Sequence, residues 1–292
     1  MKREKTGLTL VELLVVLAII ALLVGVLIPA VTAVKNMAKE TKQKAQLTAM
    51  EMALLAFKND HGDYPRSTIG AGASYCGAQT LAEGLLGWDL LGFHPGSVWR
   101  ADGLDAADGP GTYDPLKTRD VDNDGIPDTL TERKGPYLEL GTTSAFRLGD
   151  LFSPNPVGTL QPVPFVICDV FGTKKIMLAD GKAVRAGSPI LYYKANTSKK
   201  IISFSAPSDS IYNVYDNHYL VNLGRIADGR LHPLSQHNVF YGDPGQTPPE
   251  IGYIQDPKVP MPWPYRAHSY ILISAGSDGL YGTSDDIRNF GN

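Results

Sequence analysis

The sequence predicts an α+β protein in which a long N-terminal transmembrane and amphipathic helix packs on a globular head with an antiparallel sheet. Three observations predict it. An apolar stretch from Leu8 to Val34 carries one charge, Glu12, and its uncharged part alone exceeds the ~20 residues that cross a bilayer. Residues 35–58 then repeat Ala, Met and Leu at spacings of three and four, the pattern of an amphipathic helix. Beyond them, short apolar runs alternate with Gly, Pro, Asn and Asp, the punctuation of short strands and hairpins.

Composition limits the alternatives. With 43% hydrophobic and 20% charged residues over 292 positions, the chain is neither disordered nor collagen-like. Two cysteines are too few for a disulfide-dense scaffold or a Cys-rich zinc or iron–sulfur site. The net charge of −3 is unevenly spread: residues 1–7 hold about +2, 8–34 about −1 and 35–58 about +3, which leaves about −7 on 59–292. An acidic head argues against electrostatic capture of nucleic acid, and no nucleic-acid partner is expected.

Residues 1–7, MKREKTG, read as a leader. Lys2, Arg3 and Lys5 ahead of the apolar run keep that end cytoplasmic and place the rest of the chain outside the cytoplasm. Three other readings compete: a secretory signal cut after Val31-Thr32-Ala33, a plain signal anchor, and a buried soluble helix. Glu12 is awkward for all three. An acidic residue inside an inserted apolar helix costs roughly 3 kcal/mol, and marks a functional position by default.

The string Gly7-Leu8-Thr9-Leu10-Val11-Glu12-Leu13-Leu14 resembles the prepilin peptidase site of type IV pilins and type II secretion pseudopilins. The resemblance implies cleavage between Gly7 and Leu8, methylation of the new amino terminus, and an assembly role for Glu12, the fifth mature residue. Leu8 stands where the family usually has Phe, and Pro29 falls at mature position 22, where a proline is common. A carboxylate in an apolar layer needs a positive or hydrogen-bonding partner, and cleavage after Gly7 creates one, the free amine of Leu8. In the family this pairing is thought to set axial register, so Glu12, Leu8 and Pro29 are the expected assembly residues. The implied setting is the inner membrane, crossed once, with the head in the periplasm until the subunit joins a helical filament. The implied partners are copies of itself and other pilin-like subunits, the prepilin peptidase, the membrane and an inner-membrane assembly platform. The closest match in kind is a type II secretion pseudopilin that supports protein export. A type IV pilin for adhesion, motility or DNA uptake shares residues 1–60, and a secreted or anchored calcium-binding protein is the alternative of another class.

Residues 8–34 are thus the transmembrane and filament-core helix, and 35–60 the amphipathic half-helix. From Leu8 to Asn59 the helix would run ~75 Å. Pro29 is expected to kink it or loosen the preceding turn, and Gly62 with Pro65 to end it. Lys35, Lys39, Lys42 and Lys44 read as a solvated face. Residues 61–165 read as a loop-rich insertion with an acidic loop and a short helix in Leu81–Leu91. Residues 166–292 read as the antiparallel sheet and a C-terminal acidic loop. The strand-like runs are Phe165–Asp169, Lys175–Leu178, Ile190–Tyr193, Ile211–Val214, His218–Val221 and Ser269–Ser274, with Asp180-Gly181 as a hairpin turn.

Two acidic loops suggest structural Ca2+. In 120–128, DVDNDGIPD, the residues Asp120, Asp122, Asp124, the Ile126 carbonyl and Asp128 fall at the ligand spacing of an EF-hand-like loop, although Thr131 stands where a bidentate Glu is expected. The segment Ser274–Ile287 resembles the C-terminal calcium loop of major pseudopilins, which implies Asp278 and one or both of Asp285 and Asp286 as ligands. Such an ion would order a Gly-rich loop that has little core of its own.

No catalytic set appears. The six histidines lack an H-E-x-x-H pattern, His232 and His237 are poorly spaced for zinc, and no phosphate-binding glycine fingerprint opens a helix. Cys76 and Cys168 are equally compatible with a disulfide and with two buried thiols. Gly7→Asp is expected to leave the precursor uncleaved, read as retention of residues 1–7 in the intact mass; normal processing of this variant would remove the prepilin assignment.

Overall fold

The computed structural model describes residues 10–68, 74–104, 112–113, 128–141, 143–178, 181–243, 245–246, 250–259 and 263–291. The chain divides into two compact units, Met1–Thr41 and Lys42–Asn292. Helix α1, Leu10–His61, contributes to both. In the first unit its apolar side chains, from Leu10 through Val34, are exposed on every side. The helix is unbroken across Pro29, so the expected loosening does not interrupt it. It ends at His61, where Gly62 takes a left-handed conformation (φ +85°) and donates its N–H to the Lys58 carbonyl at 2.7 Å.

In the second unit, α1 buries one stripe: Leu47, Met50, Ala53, Leu54 and Phe57. Their spacing of three and four residues puts them on one face. They meet Leu81, Ala82, Leu85 and Leu86 of α2, Gly77–Leu86. Two buried glutamines extend the stripe towards the N-terminus. Gln46 Nε2 donates to the Cys168 carbonyl at 3.0 Å, and the Val170 N–H donates to Gln43 Oε1 at 2.9 Å. The helix thereby caps backbone groups at the end of a strand.

The remaining elements are short: α3 (Asp128–Thr131), β1 (Ser144–Arg147), α4 (Leu148–Phe152), β2 (Phe165–Cys168), β3 (Lys174–Met177), β4 (Ala183–Ala186), β5 (Leu191–Lys194), α5 (His218–Asn222), α6 (His237–Tyr241), β6 (Gly242–Asp243), β7 (Glu250–Ile251), β8 (Tyr270–Ser274) and β9 (Ile287–Arg288). All strand pairs are antiparallel: β1 with β2, β3 with β4, β6 with β7, and β5–β8–β9 in one sheet. Tyr192 faces Leu272 and Leu191 faces Ile273 across β5 and β8. The Ile190 N–H donates to the Ile167 carbonyl at 2.8 Å, which carries β2 alongside the entry to β5.

Both faces of this sheet are buried. Ile167, Tyr192 and Leu272 join the α1–α2 core. Their neighbours Val166, Cys168, Leu191, Tyr193, Ile271 and Ile273 join a second core with Leu148, Leu220, Val221 and Phe240 of the short helices. The period of two along each strand sends alternate residues to opposite layers. Cys76 and Cys168 are both buried free thiols, and burial pushes the Cys76 thiol up to about 12.

Several expectations are corrected. His218–Val221 is the start of α5 rather than a strand, and Ile211–Val214 leads into a single 3-10 turn, Val214–Asp216. A run of four or five residues cannot separate the two periodicities. The Asn217 side chain decides it, accepting from the Ala78 N–H at 2.9 Å and donating to the Tyr192 carbonyl at 2.8 Å, which pins the turn beside β5. The short helix lies at Gly77–Leu86, not Leu81–Leu91. Strand β1 lies in the region read as insertion and pairs with β2, so the sheet reaches back before residue 166.

Two buried carboxylates fasten loops to this frame. Glu83 on α2 accepts from Tyr75 Oη (2.6 Å), Tyr113 Oη (2.8 Å) and Ser97 Oγ (2.5 Å). Asp216 accepts from Ser67 Oγ (2.5 Å) and Thr68 Oγ1 (2.9 Å). Burial pushes the Asp216 carboxyl up from 3.8 to about 7, against the two hydroxyl donors. The folded head therefore holds this proton more tightly than the unfolded chain; the contribution is full below about pH 4 and is lost as pH rises through about 7. Asp216→Asn removes that loss. Its melting temperature relative to the parent is expected to rise by ~2–5 °C between about pH 5 and pH 8; a pH-independent difference would contradict this.

Candidate assembly and processing site

Gly7 and Leu8 lie outside the described residues. Glu12 lies in the first turn of α1, with its side chain exposed among apolar neighbours. A carboxylate there faces the positive end of the helix dipole, which offsets part of the cost of an acid in an apolar layer. Pro29 lies about 25 Å farther along at 1.5 Å per residue. The first half of the helix is long and apolar enough to cross a membrane, and none of its most apolar stretch is buried. A helix apolar all round requires an apolar medium or apolar neighbours on all sides. Gly25 has open space where a Cβ would stand.

The C-terminal loop is built around its acidic residues. Asp285 Oδ2 accepts from Ser277 Oγ and the Asp278 N–H, both at 2.9 Å, and Oδ1 accepts from Thr283 Oγ1 at 2.6 Å. Burial raises the Asp285 pKa, but these donors outweigh it and hold the carboxyl below its usual value. Asp286 Oδ2 accepts from Tyr253 Oη at 2.5 Å and the Gly282 N–H at 2.7 Å. Asp286 Oδ1 is buried with no hydrogen-bond partner among the described residues, and burial pushes this carboxyl up to about 7. Asp278 Oδ1 accepts from the Leu280 N–H at 2.7 Å. Gly276 is required: its φ is +64°, and a Cβ there would stand 2.3 Å from the Asp285 carbonyl oxygen.

These carboxylates are hard oxygen donors of the kind calcium takes, and Asp286 Oδ1 is the one oxygen of Asp285 and Asp286 left without a donor. Among the described residues no group of three or more His, Cys, Asp or Glu gathers around a common point. Of the other acidic loop, Asp128 opens α3, and Asp120, Asp122, Asp124 and Ile126 lie outside the described residues. Tyr253, which donates to Asp286 from 33 residues away, carried no local signal of that contact in the sequence.

The family described as prokaryotic N-terminal methylation motif matches residues 2–28, which include Gly7, Leu8 and Glu12. The chain is also homologous to the type II secretion system core protein G of Aeromonas hydrophila, at 33% identity over 72 residues, covering 25% of this chain and 50% of the relative. The protein of the same name from Dickeya chrysanthemi is 33% identical over 73 residues, covering 25% and 48%. The chain thus spans about half the length of the curated relatives it matches. No solved structure matches it. The resemblance expected from residues 7–14 is supported by both comparisons.

Asp285→Ala strips three donors of their acceptor. It is expected to lower head stability by about 2 kcal/mol in urea denaturation; an unchanged midpoint would show that the loop does not depend on this carboxylate.

Proposed function

We propose that this protein is a pilin-like structural subunit that assembles into a type II secretion pseudopilus supporting protein export. The observation that carries the reading is the methylation motif at residues 2–28 running into an apolar helix with no polar side. The similarity to core protein G points to the secretion pathway among the systems that use such subunits. In this reading the chain waits in the inner membrane with its head in the periplasm. The prepilin peptidase cuts between Gly7 and Leu8 and the new terminus is methylated. Removal of Lys2, Arg3 and Lys5 takes away charge that a filament core would otherwise bury.

Glu12 then pairs with the amine of Leu8, and the exposed apolar side chains of Leu10–Val34 exchange lipid for neighbouring helices. Both surroundings are apolar, so the exchange costs little. The repeated contact is heterologous, which gives a fibre rather than a closed ring. Calcium belongs to the same proposal. Asp278, Asp285 and Asp286, and separately Asp120, Asp122, Asp124, Ile126 and Asp128, would hold it. It would supply positive charge that relieves carboxylate repulsion.

The test is N-terminal peptide mass spectrometry of the mature protein from its own cell envelope. A peptide beginning at methylated Leu8 is expected; one beginning near Val34 would overturn the reading in favour of a secreted protein. Glu12→Ala is expected to reduce filament yield at least tenfold while membrane insertion stays normal, and ordinary filaments from this variant would sink the pairing argument. Chelating calcium is expected to lower the melting temperature of the head by several degrees; no change would argue for loops held by their own hydrogen bonds.

A further inference from the structure

Three rings meet on the surface of the head. Tyr215 lies in the 3-10 turn Val214–Asp216, His218 opens α5 and His237 opens α6. Their centroids form a nearly equilateral triangle: 5.5 Å from Tyr215 to His218, 5.4 Å from Tyr215 to His237, and 5.4 Å between the histidines. Tyr215 is 48% exposed and both histidines are half-buried, so the triangle is open to solvent. Its supports are rigid, because Val214, Leu220, Val221, Phe240 and Tyr241 on the same three elements are in the core.

The chemistry of the three groups is that of a ligand set. Burial lowers the pKa of both histidines, and for His218 the neighbouring His237 adds to it, so both imidazoles are neutral at neutral pH, as metal binding requires. Neither ring nitrogen of His237 and not the phenol oxygen of Tyr215 has a hydrogen-bond partner among the described residues. The Asn222 amide lies 2.8 Å from His218 Nε2. Its Nδ2 donates to Nε2 and fixes the imidazole; an ion on Nδ1 moves the ring proton to Nε2, and the amide turns so that its oxygen accepts it. Metal–nitrogen bonds of ~2.0–2.1 Å at tetrahedral angles place two imidazole centres roughly 5–6 Å apart, the separation found here.

We propose that Tyr215, His218 and His237 form a surface site for one divalent first-row transition ion of the zinc or copper class, with two imidazole nitrogens and the phenol oxygen as protein donors and water completing the shell. Two imidazoles with one oxygen suit these ions rather than calcium or magnesium. The site does not depend on the assembly reading. Histidine spacing in the sequence concealed it: His218 and His237 are nineteen residues apart, and Tyr215 belongs to no metal motif.

The test uses the purified full-length chain in detergent micelles, freed of metal and titrated with Co2+ alone. Saturable binding of one equivalent, visible absorption bands of a four- or five-coordinate ion, and displacement by Zn2+ are expected. His218→Ala and His237→Ala should each weaken Co2+ binding at least tenfold and Tyr215→Phe several-fold, whereas His268→Ala should leave it unchanged. In the parent protein, Zn2+ should also slow carbethoxylation of His218 and His237 but not of His268, a readout independent of how the variants fold. Absence of saturable binding, an unchanged affinity in any of the three ligand variants, or equal carbethoxylation with and without Zn2+ overturns the site.

Discussion

A helix without a polar side is the constraint from which the rest of this molecule follows. Along Leu10–Val34 no face of α1 can be left to water at acceptable cost, so apolar matter must surround it throughout. Lipid and packed helices both satisfy that demand. An ionisable group there is tolerable only at an end with favourable electrostatics, and Glu12 sits at such an end. In the proposed reading the same constraint explains why positive residues precede the helix and why their removal would change what the helix can do.

The head obeys a different rule. Its central strands are buried on both faces, so each strand residue must serve one of two cores, and alternation along β2, β5 and β8 divides them cleanly. Backbone polar groups in such a sheet have no water to turn to. Where the ladder ends, side chains take over: Gln43 and Gln46 from α1 at the end of β2, and Asn217 beside β5. Buried carboxylates then hold the long loops, with Glu83 gathering Tyr75, Ser97 and Tyr113, and Asp216 gathering Ser67 and Thr68. The head is thus held by apolar layers in the middle and by hydroxyl–carboxylate contacts around them.

What the sequence disclosed and what it hid divide along the range of the signal. The apolar run, the leader charge, Glu12 and the end of α1 at Gly62 are local features, and they were legible. Strands β2, β5 and β8 were nearly so, because a strand buried on both faces is a continuous apolar run. His218–Val221 is helical although its sequence suits a strand: a short apolar run carries no usable period, and the contact that settles it comes from Asn217 reaching residues far away in the chain. Strand β1 escaped notice because Ser144–Arg147 is half polar and gains its identity only from pairing with β2. The partners of Glu83 and Asp216 lie between 8 and 149 residues away and Tyr253 lies 33 from Asp286, and no pattern of spacing announces such pairs.

The two thiols give the head an internal clock. Cys76 and Cys168 are almost wholly shielded, and burial keeps both protonated, so neither is a nucleophile while the fold is closed. The fold holds both as free thiols with no disulfide between them. A thiol reagent reaches Cys76 or Cys168 only when the second core, to which both side chains belong, opens around them. The labelling rates of the two positions therefore measure how often that core comes open around each of them.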